Sequence, residues 1–233
     1  MRAATLIAPC IALCLASPVQ GQNPTLSYTL HHVGEQGHTY RIHAEFANEG
    51  DHLTALYASS SEPAEATSAN GFYQDPLGGP TSADINPILI GFYPDLAYDS
   101  WFTIGAEDSE DNALNSAGST DWQSGNSTWE SGASWAQAGP FGGSFYILPT
   151  DPQGAAGPDL KVLVAQWTVK GAVNSVWNLQ WRAEGEATSE EVGQLTLDIP
   201  APEGCTDPTA VNYLDYAGTD DGSCVSPSRR TPD

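Results

Sequence analysis

Basic residues are scarce in this 233-residue chain: seven Lys and Arg stand against 29 Asp and Glu, a formal net charge of −22. Between Arg41 and Lys161 there is not one. So one-sided a surface repels phosphate backbones and anionic lipid, which argues against nucleic acid or a membrane surface as partner. It suits divalent cations or a salty medium, or simply keeps an extracellular protein dispersed. Methionine occurs once, and no long stretch shows helical periodicity. No run approaches the about 20 uninterrupted apolar residues that cross a bilayer, so membrane insertion is not expected. Catalytic signatures are missing as well: there is no G-x-S-x-G elbow, H-E-x-x-H, P-loop or dinucleotide fingerprint.

What is present begins with a secretory signal. Met1-Arg2 forms a short positive region, Leu6 to Ala16 an apolar stretch, and small residues follow at cleavage positions. Cleavage is expected after Gly21, with Val19 at −3, or after Ala16. A lipid anchor at Cys10 or Cys14 is the rival reading, but Pro9 and Leu13 precede these cysteines where a lipobox needs a small residue. Loss of residues 1–21 removes Arg2 and moves the charge from −22 to −23. The mature chain keeps only Cys205 and Cys224, which in an oxidising compartment read as one disulfide. A secreted, extracellular protein is expected.

Period-two alternation dominates the remainder. Leu26, Tyr28 and Leu30 alternate with Ser27, Thr29 and His31, and Tyr40, Ile42, Ala44 and Phe46 with Arg41, His43 and Glu45. With a turn at residues 34–37, the expected register sets Leu30 against Ile42, Leu26 against Phe46 and His31 against Arg41. Further strands are expected over 52–60, 87–93, 100–105, 144–149, 160–169, 173–183 and 193–199. Residues 160–169 and 173–183 read as a hairpin around Lys170-Gly171. Val162 and Val164 mark one face of its first strand, with Leu163, Ala165, Trp167 and Val169 on the other, so that strand is buried on both sides. About nine strands with turn-rich joints predict an all-β fold, an antiparallel β-sandwich with a small disulfide-stapled C-terminal module. A barrel is the alternative. The expected layout is a signal peptide at 1–21, the sandwich at 22–199 and a Pro-rich linker at 200–203. The disulfide module follows at 204–224 and a disordered tail at 225–233.

Two stretches carry a family resemblance. Gly204-Cys205-Thr206-Asp207, Asn212-Tyr213 and Asp220-Asp221-Gly222-Ser223-Cys224 closely resemble the GCTD…NY…DDGSC repeats of large secreted proteins in Bacteroidetes and other marine organisms. Many copies carry a further Cys before the Asn-Tyr pair, where this chain has Val211. Residues 71–79 (GFYQDPLGG), Ile85-Asn86-Pro87, residues 98–105 (YDSWFTIG) and residues 162–181 are similar to a secreted module of unknown activity that often precedes such repeats. The likeness implies location outside the cell rather than chemistry. Such proteins often end in a β-rich sorting domain, whereas this chain reads Ser228-Arg229-Arg230-Thr231-Pro232-Asp233, so surface attachment by that route is not expected.

Several side-chain groups invite a functional reading. Asp207, Asn212, Asp215, Asp220 and Asp221 offer hard oxygen ligands for calcium; capping of turns by Asp207 and Asp220 is the competing account. Asp108, Glu110, Asp111 and Asn112 do the same, although an EF-hand loop fails at Ala113 and Ser119. The five histidines fall between residues 31 and 52, where Arg41 opposes a cation. Trp122, Trp129 and Trp135 lie in a polar insertion at 107–139, as ligand-stacking rings or as a cover for one sheet. Asn126-Ser127-Thr128 is formally a glycosylation sequon. Glu184, Glu186, Glu190 and Glu191 are the carboxylates open to a hydrolase, whose acid pair has no sequence signature. Three functions follow in order. First is a non-catalytic extracellular adhesion or structural module with calcium as candidate ion. A carbohydrate-binding module comes second and a secreted hydrolase third. The expected partners are an extracellular glycan or a surface protein.

Overall fold

A computed structural model describes residues 22–118, 127–139 and 142–227. The N-terminal alternation folds as a hairpin of β1 (Thr25–Gly34) and β2 (Gly37–Glu45). Gly34 pairs with Gly37 around a two-residue loop, and the register slips between Leu30 and His32. Leu30 therefore faces Tyr40, Tyr28 faces Ile42 and Leu26 faces Ala44, two residues from the expected pairing. The tight loop and the unpaired His31 account for the offset. Because the offset is even, Tyr40, Ile42 and Ala44 still point into the core. Arg41 lies opposite Thr29 rather than His31.

β3 (His52–Ala58), β4 (Ala64–Thr67), β5 (Trp101–Phe102), β6 (Asn115–Gly118), β7 (Trp135–Gln137), β8 (Gly143–Tyr146), β9 (Lys161–Val169), β10 (Val173–Arg182) and β11 (Glu190–Ile199) follow. All named strand pairs are antiparallel, and they make two packed sheets, a β-sandwich. The smaller has the order β1-β2-β9-β5. In the larger, β10 carries β11 on one side and both β3 and β4 on the other; β8 and β7 lie beyond these, and β6 beyond β8.

β9 and β10 are not the hairpin expected around Lys170-Gly171: β9 pairs with β2 and β5, whereas β10 belongs to the other sheet. Both strands carry large apolar faces, which bury more area across the core than side by side. Trp167 and Trp177 accordingly stack with centroids 5.3 Å apart.

β9 is central and buried almost throughout, as its sequence implies. A register slip against β2 leaves Val164 out of the ladder, so Leu163 emerges on the face opposite Ala165. There Leu163 joins Ile85, Leu96 and Trp101 in a second small core, while Ala165, Trp167 and Val169 fill the main one. The stretch 87–93, expected as a strand, starts instead as a short helix, Pro87–Ile90. Asn86 caps it by accepting the Ile88 N–H, and Pro87 supplies the preset backbone angle of a first turn.

β3 and β4 run end to end along β10, separated by an excursion at residues 59–63. The buried Asn178 holds it: Nδ2 donates to the carbonyls of Tyr57 (3.1 Å), Glu62 (2.9 Å) and Pro63 (3.3 Å). Beyond Ile199, the Cys205–Cys224 disulfide closes the C-terminal module. The module touches the smaller sheet through Tyr216, whose ring meets His38 edge-on at 5.7 Å. Among the described residues no helix is long and apolar enough to cross a membrane.

Candidate functional site: a groove on the outer face of the larger sheet

Alternation decides which side chains leave the core of the larger sheet. Phe145 and Ile147 point inward, so Tyr146 points out; Leu179 and Trp181 point inward, so Gln180 points out. Backbone pairing lines up Glu191, Gln180, Ala55 and Tyr146 on four neighbouring strands. The next outward row is Tyr57, Ser144 and Ala117. Ala55, Ala117, Gly118, Gly143 and Ser144 are small, and over them runs an open groove of about 540 Å³. Tyr57 and Tyr146 stand in it, Leu148 and Pro149 flank it, and Gln180 and Glu191 lie at the β10–β11 end.

The polar atoms of the groove are prearranged. Gln180 Nε2 donates to Glu191 Oε1 at 3.3 Å, and Thr54 Oγ1 donates to the Gln180 carbonyl at 2.9 Å. Tyr57 donates its hydroxyl to Glu62 at 3.2 Å; burial first, then Glu62 and Glu191, pushes its pKa up to about 12. The phenol is therefore neutral at any ordinary pH and serves as a donor with an apolar body. Among the described residues no Lys or Arg lines the groove, and Glu191 is the one carboxylate that does.

A second polar cluster is structural. Asp99 is fully buried; its Oδ1 accepts the Asp75 N–H at 2.7 Å and its Oδ2 the Gly79 N–H at 3.2 Å. A Cβ at Gly78 would collide with Oδ2, which explains the glycine. Gln166 Nε2 donates to the carbonyls of Ala97 and Asp99, and Trp129 Nε1 donates to the carbonyl of Ser100. Burial pushes Asp99 up to about 7 with help from Glu130, and backbone donors offset only part of this. Glu130 also rises to about 7, from partial burial and the Asp84 carboxylate. With each oxygen accepting a backbone N–H, the fully buried Asp99 clasps the 75–79 turn.

The residues singled out from the sequence are distributed as follows. Cys205 and Cys224 are bonded. Asp207 caps Thr209, Asp220 caps Gly222, Asp221 caps Ser223, and Asn212 accepts from Val225 while donating to Ser223. These side chains serve separate turns instead of converging with Asp215 on one ion. Among the described residues no group of three or more His, Cys, Asp or Glu is placed to hold a metal ion. The turn-capping account given for Asp207 and Asp220 thus describes their bonds, and Asn212 and Asp221 bond within the module in the same way. Asp108 and Asn112 likewise bond within their own loop and to its neighbours. Arg41 pairs with Glu107 at 2.6 Å, and His32 stacks on Tyr98 at 4.0 Å.

Trp129 is 0% exposed and Trp135 5%, with ring centroids 4.5 Å from Phe72 and 4.8 Å from Phe102 respectively. Their faces are taken by core rings, so neither is a platform for a ligand. Trp122 and Asn126 lie outside the described residues. The groove aromatics Tyr57 and Tyr146 carried no mark in the sequence beyond the alternation of residues 52–58 and 143–146. Glu191, one of the four carboxylates named as open to a hydrolase, is the one at the groove; Glu184 and Glu186 are exposed beyond the end of β10.

No family model matches the chain, and no solved structure matches it. Two chloroplast proteins share short stretches with it. It is 35% identical over 72 residues to ribulose bisphosphate carboxylase/oxygenase activase of Arabidopsis thaliana, covering 28% of this chain and 15% of that protein. It is 51% identical over 41 residues to ribulose bisphosphate carboxylase/oxygenase activase 1 of Larrea tridentata, covering 18% of this chain and 8% of that protein. The chain thus spans a small fraction of the length of either.

Proposed function

We propose that the chain is an exported, non-catalytic extracellular binding module of the adhesion class, with the outer groove of the larger sheet as its ligand face. The observation that carries this reading is the groove itself: small residues form its floor, two tyrosines stand in it, and an amide–carboxylate pair sits at one end. Such a mixture of apolar lining and a few fixed polar groups is what ligand sites use. Export rests on the signal-like residues 1–21 and on the resemblance of residues 71–79, 85–87, 98–105, 162–181 and 204–224 to secreted modules. The hydrolase reading has less support, since among the described residues the groove lining offers one carboxylate where glycoside hydrolysis uses two facing ones.

The test is retention of labelled protein on intact cells and their extracellular matrix. Tyr146→Ala should reduce retention at least tenfold with the circular-dichroism spectrum and melting temperature preserved. Equal retention of the two proteins would refute the ligand-face assignment.

A further inference from the structure

We infer that the groove binds an uncharged polyhydroxylated chain, a neutral oligosaccharide; this rests on the reading of the groove as the ligand face. Shape comes first. The lining runs from Glu191 on β11, across β10, β3 and β8, to Ala117 and Gly118 on β6. Five strands at about 4.8 Å spacing give a trough of about 19 Å, long enough for several linked sugar rings. The trough is a surface groove, so a chain can lie along it instead of being enclosed.

The chemistry of the lining narrows the class. Tyr57 and Tyr146 stand on adjacent strands, two residues apart in register, so their amphipathic rings serve two successive units of a chain. Gln180, Ser144 and the tyrosine hydroxyls supply donors and acceptors together, as sugar hydroxyls require. Charge excludes the neighbouring classes. A uronate, sulfated or phosphorylated chain would meet an acidic surface with no lining Lys or Arg. A polycation needs an array of carboxylates, whereas among the described lining Glu191 already accepts from Gln180 and the nearby Glu62 accepts from Tyr57. An extended peptide pairs its amides at a strand edge, whereas the middle of the groove lies over β10, β3 and β8, each paired on both sides.

The experiment is affinity electrophoresis and calorimetry of the exported full chain on neutral glucan, xylan and mannan oligosaccharides, with alginate and heparin as anionic controls. At least one neutral chain should bind, insensitive to salt between 50 and 500 mM, and the anionic chains should not. Tyr146→Ala and Gln180→Ala should each weaken that binding at least tenfold, while Tyr57→Phe, which keeps the ring, weakens it less than threefold. Matching melting temperatures verify that the variants are folded; if Tyr146→Ala melts early, Gln180→Ala and Glu191→Gln decide. Failure of every neutral chain to bind overturns the inference, as does binding unchanged in the variants. If cell retention falls in Tyr146→Ala while no neutral chain binds, the ligand face stands and the glycan assignment is wrong.

Discussion

Asn178 Oδ1 accepts the backbone N–H of Gln194 at 2.8 Å, at the slip where β10 and β11 change register. The same carboxamide donates to the carbonyl of Tyr57 near the end of β3 and to those of Glu62 and Pro63 in the β3–β4 excursion, so one buried side chain fastens irregularities on both flanks of β10. Gln194 itself adopts a positive φ of 57° there, and its Nε2 also donates to Asn178 Oδ1 at 3.0 Å.

Replacing Asn178 by Leu should therefore be severe. It cuts several bonds worth about 0.5–1.5 kcal/mol net each and puts a branched apolar group where a buried carboxamide fastened both flanks, giving a loss of about 3 kcal/mol or more. Urea unfolding checks this, and amide exchange should quicken first at residues 59–63 and 193–194. A loss below about 0.5 kcal/mol would mean the carboxamide is dispensable.

Trp129 packs between Phe72 and Phe102 and donates to the Ser100 carbonyl. Trp129→Ala should cost about 4 kcal/mol, in the range for emptying a large aromatic site. Trp129→Phe should cost less but still release the donor. Acrylamide should quench little of the fluorescence that Trp129→Phe removes; strong quenching of that component contradicts the buried placement.

Asp99 ties stability to pH. Its folded pKa lies near 7, against an ordinary aspartate value of 3.8, so the folded state holds a proton that the unfolded chain releases. This contribution is fully present below about pH 4 and is lost as pH rises through about 7. Melting temperature should accordingly rise on acidification from pH 8 to pH 5, and Asp99→Asn should flatten that slope while lowering the plateau. An unchanged slope in the variant removes Asp99 as its source.

In the C-terminal module Val211 and Tyr213 are exposed, and Cys205 is its one buried apolar residue. So small a core leans on the disulfide, whose loop closure contributes about 3 kcal/mol. Reduction should free residues 204–224 to exchange while the strands of the sandwich stay protected. Protection persisting in the module after reduction would contradict this.

Because Asp207, Asn212, Asp220 and Asp221 are engaged as turn caps, added calcium and subsequent chelator should leave the melting curve in place. A reproducible calcium-dependent rise would restore an ion site to the module.

Much of this fold was legible because alternation is local. The inward face of β2 and Leu26 and Tyr28 of β1 came out correctly, whereas Leu30, expected on the same face, is 54% exposed beside the slip. β9 announced its central place by being apolar on both faces. Bulges left no trace: nothing in Leu30-His31-His32 or Leu163-Val164-Ala165 distinguishes a slipped ladder from a regular one. Lys170-Gly171 is compatible with a hairpin or a crossing, and the choice is made by tryptophans that must be buried against each other. Asn86-Pro87, by contrast, was a readable helix start overshadowed by the apolar run after it. The groove was invisible for a different reason. Its lining is drawn from residues 54 to 191 on five strands, and only pairing brings them to one surface.

The partner of β2 begins at Lys161, more than a hundred residues downstream. During synthesis the N-terminal hairpin must therefore wait with an open inner edge until Val169 has emerged. Contacts of such long range slow folding and lengthen exposure to wrong partners. A chain read as crossing a membrane before it folds gains from that delay, since the sheet it would otherwise close cannot form until its last third is available.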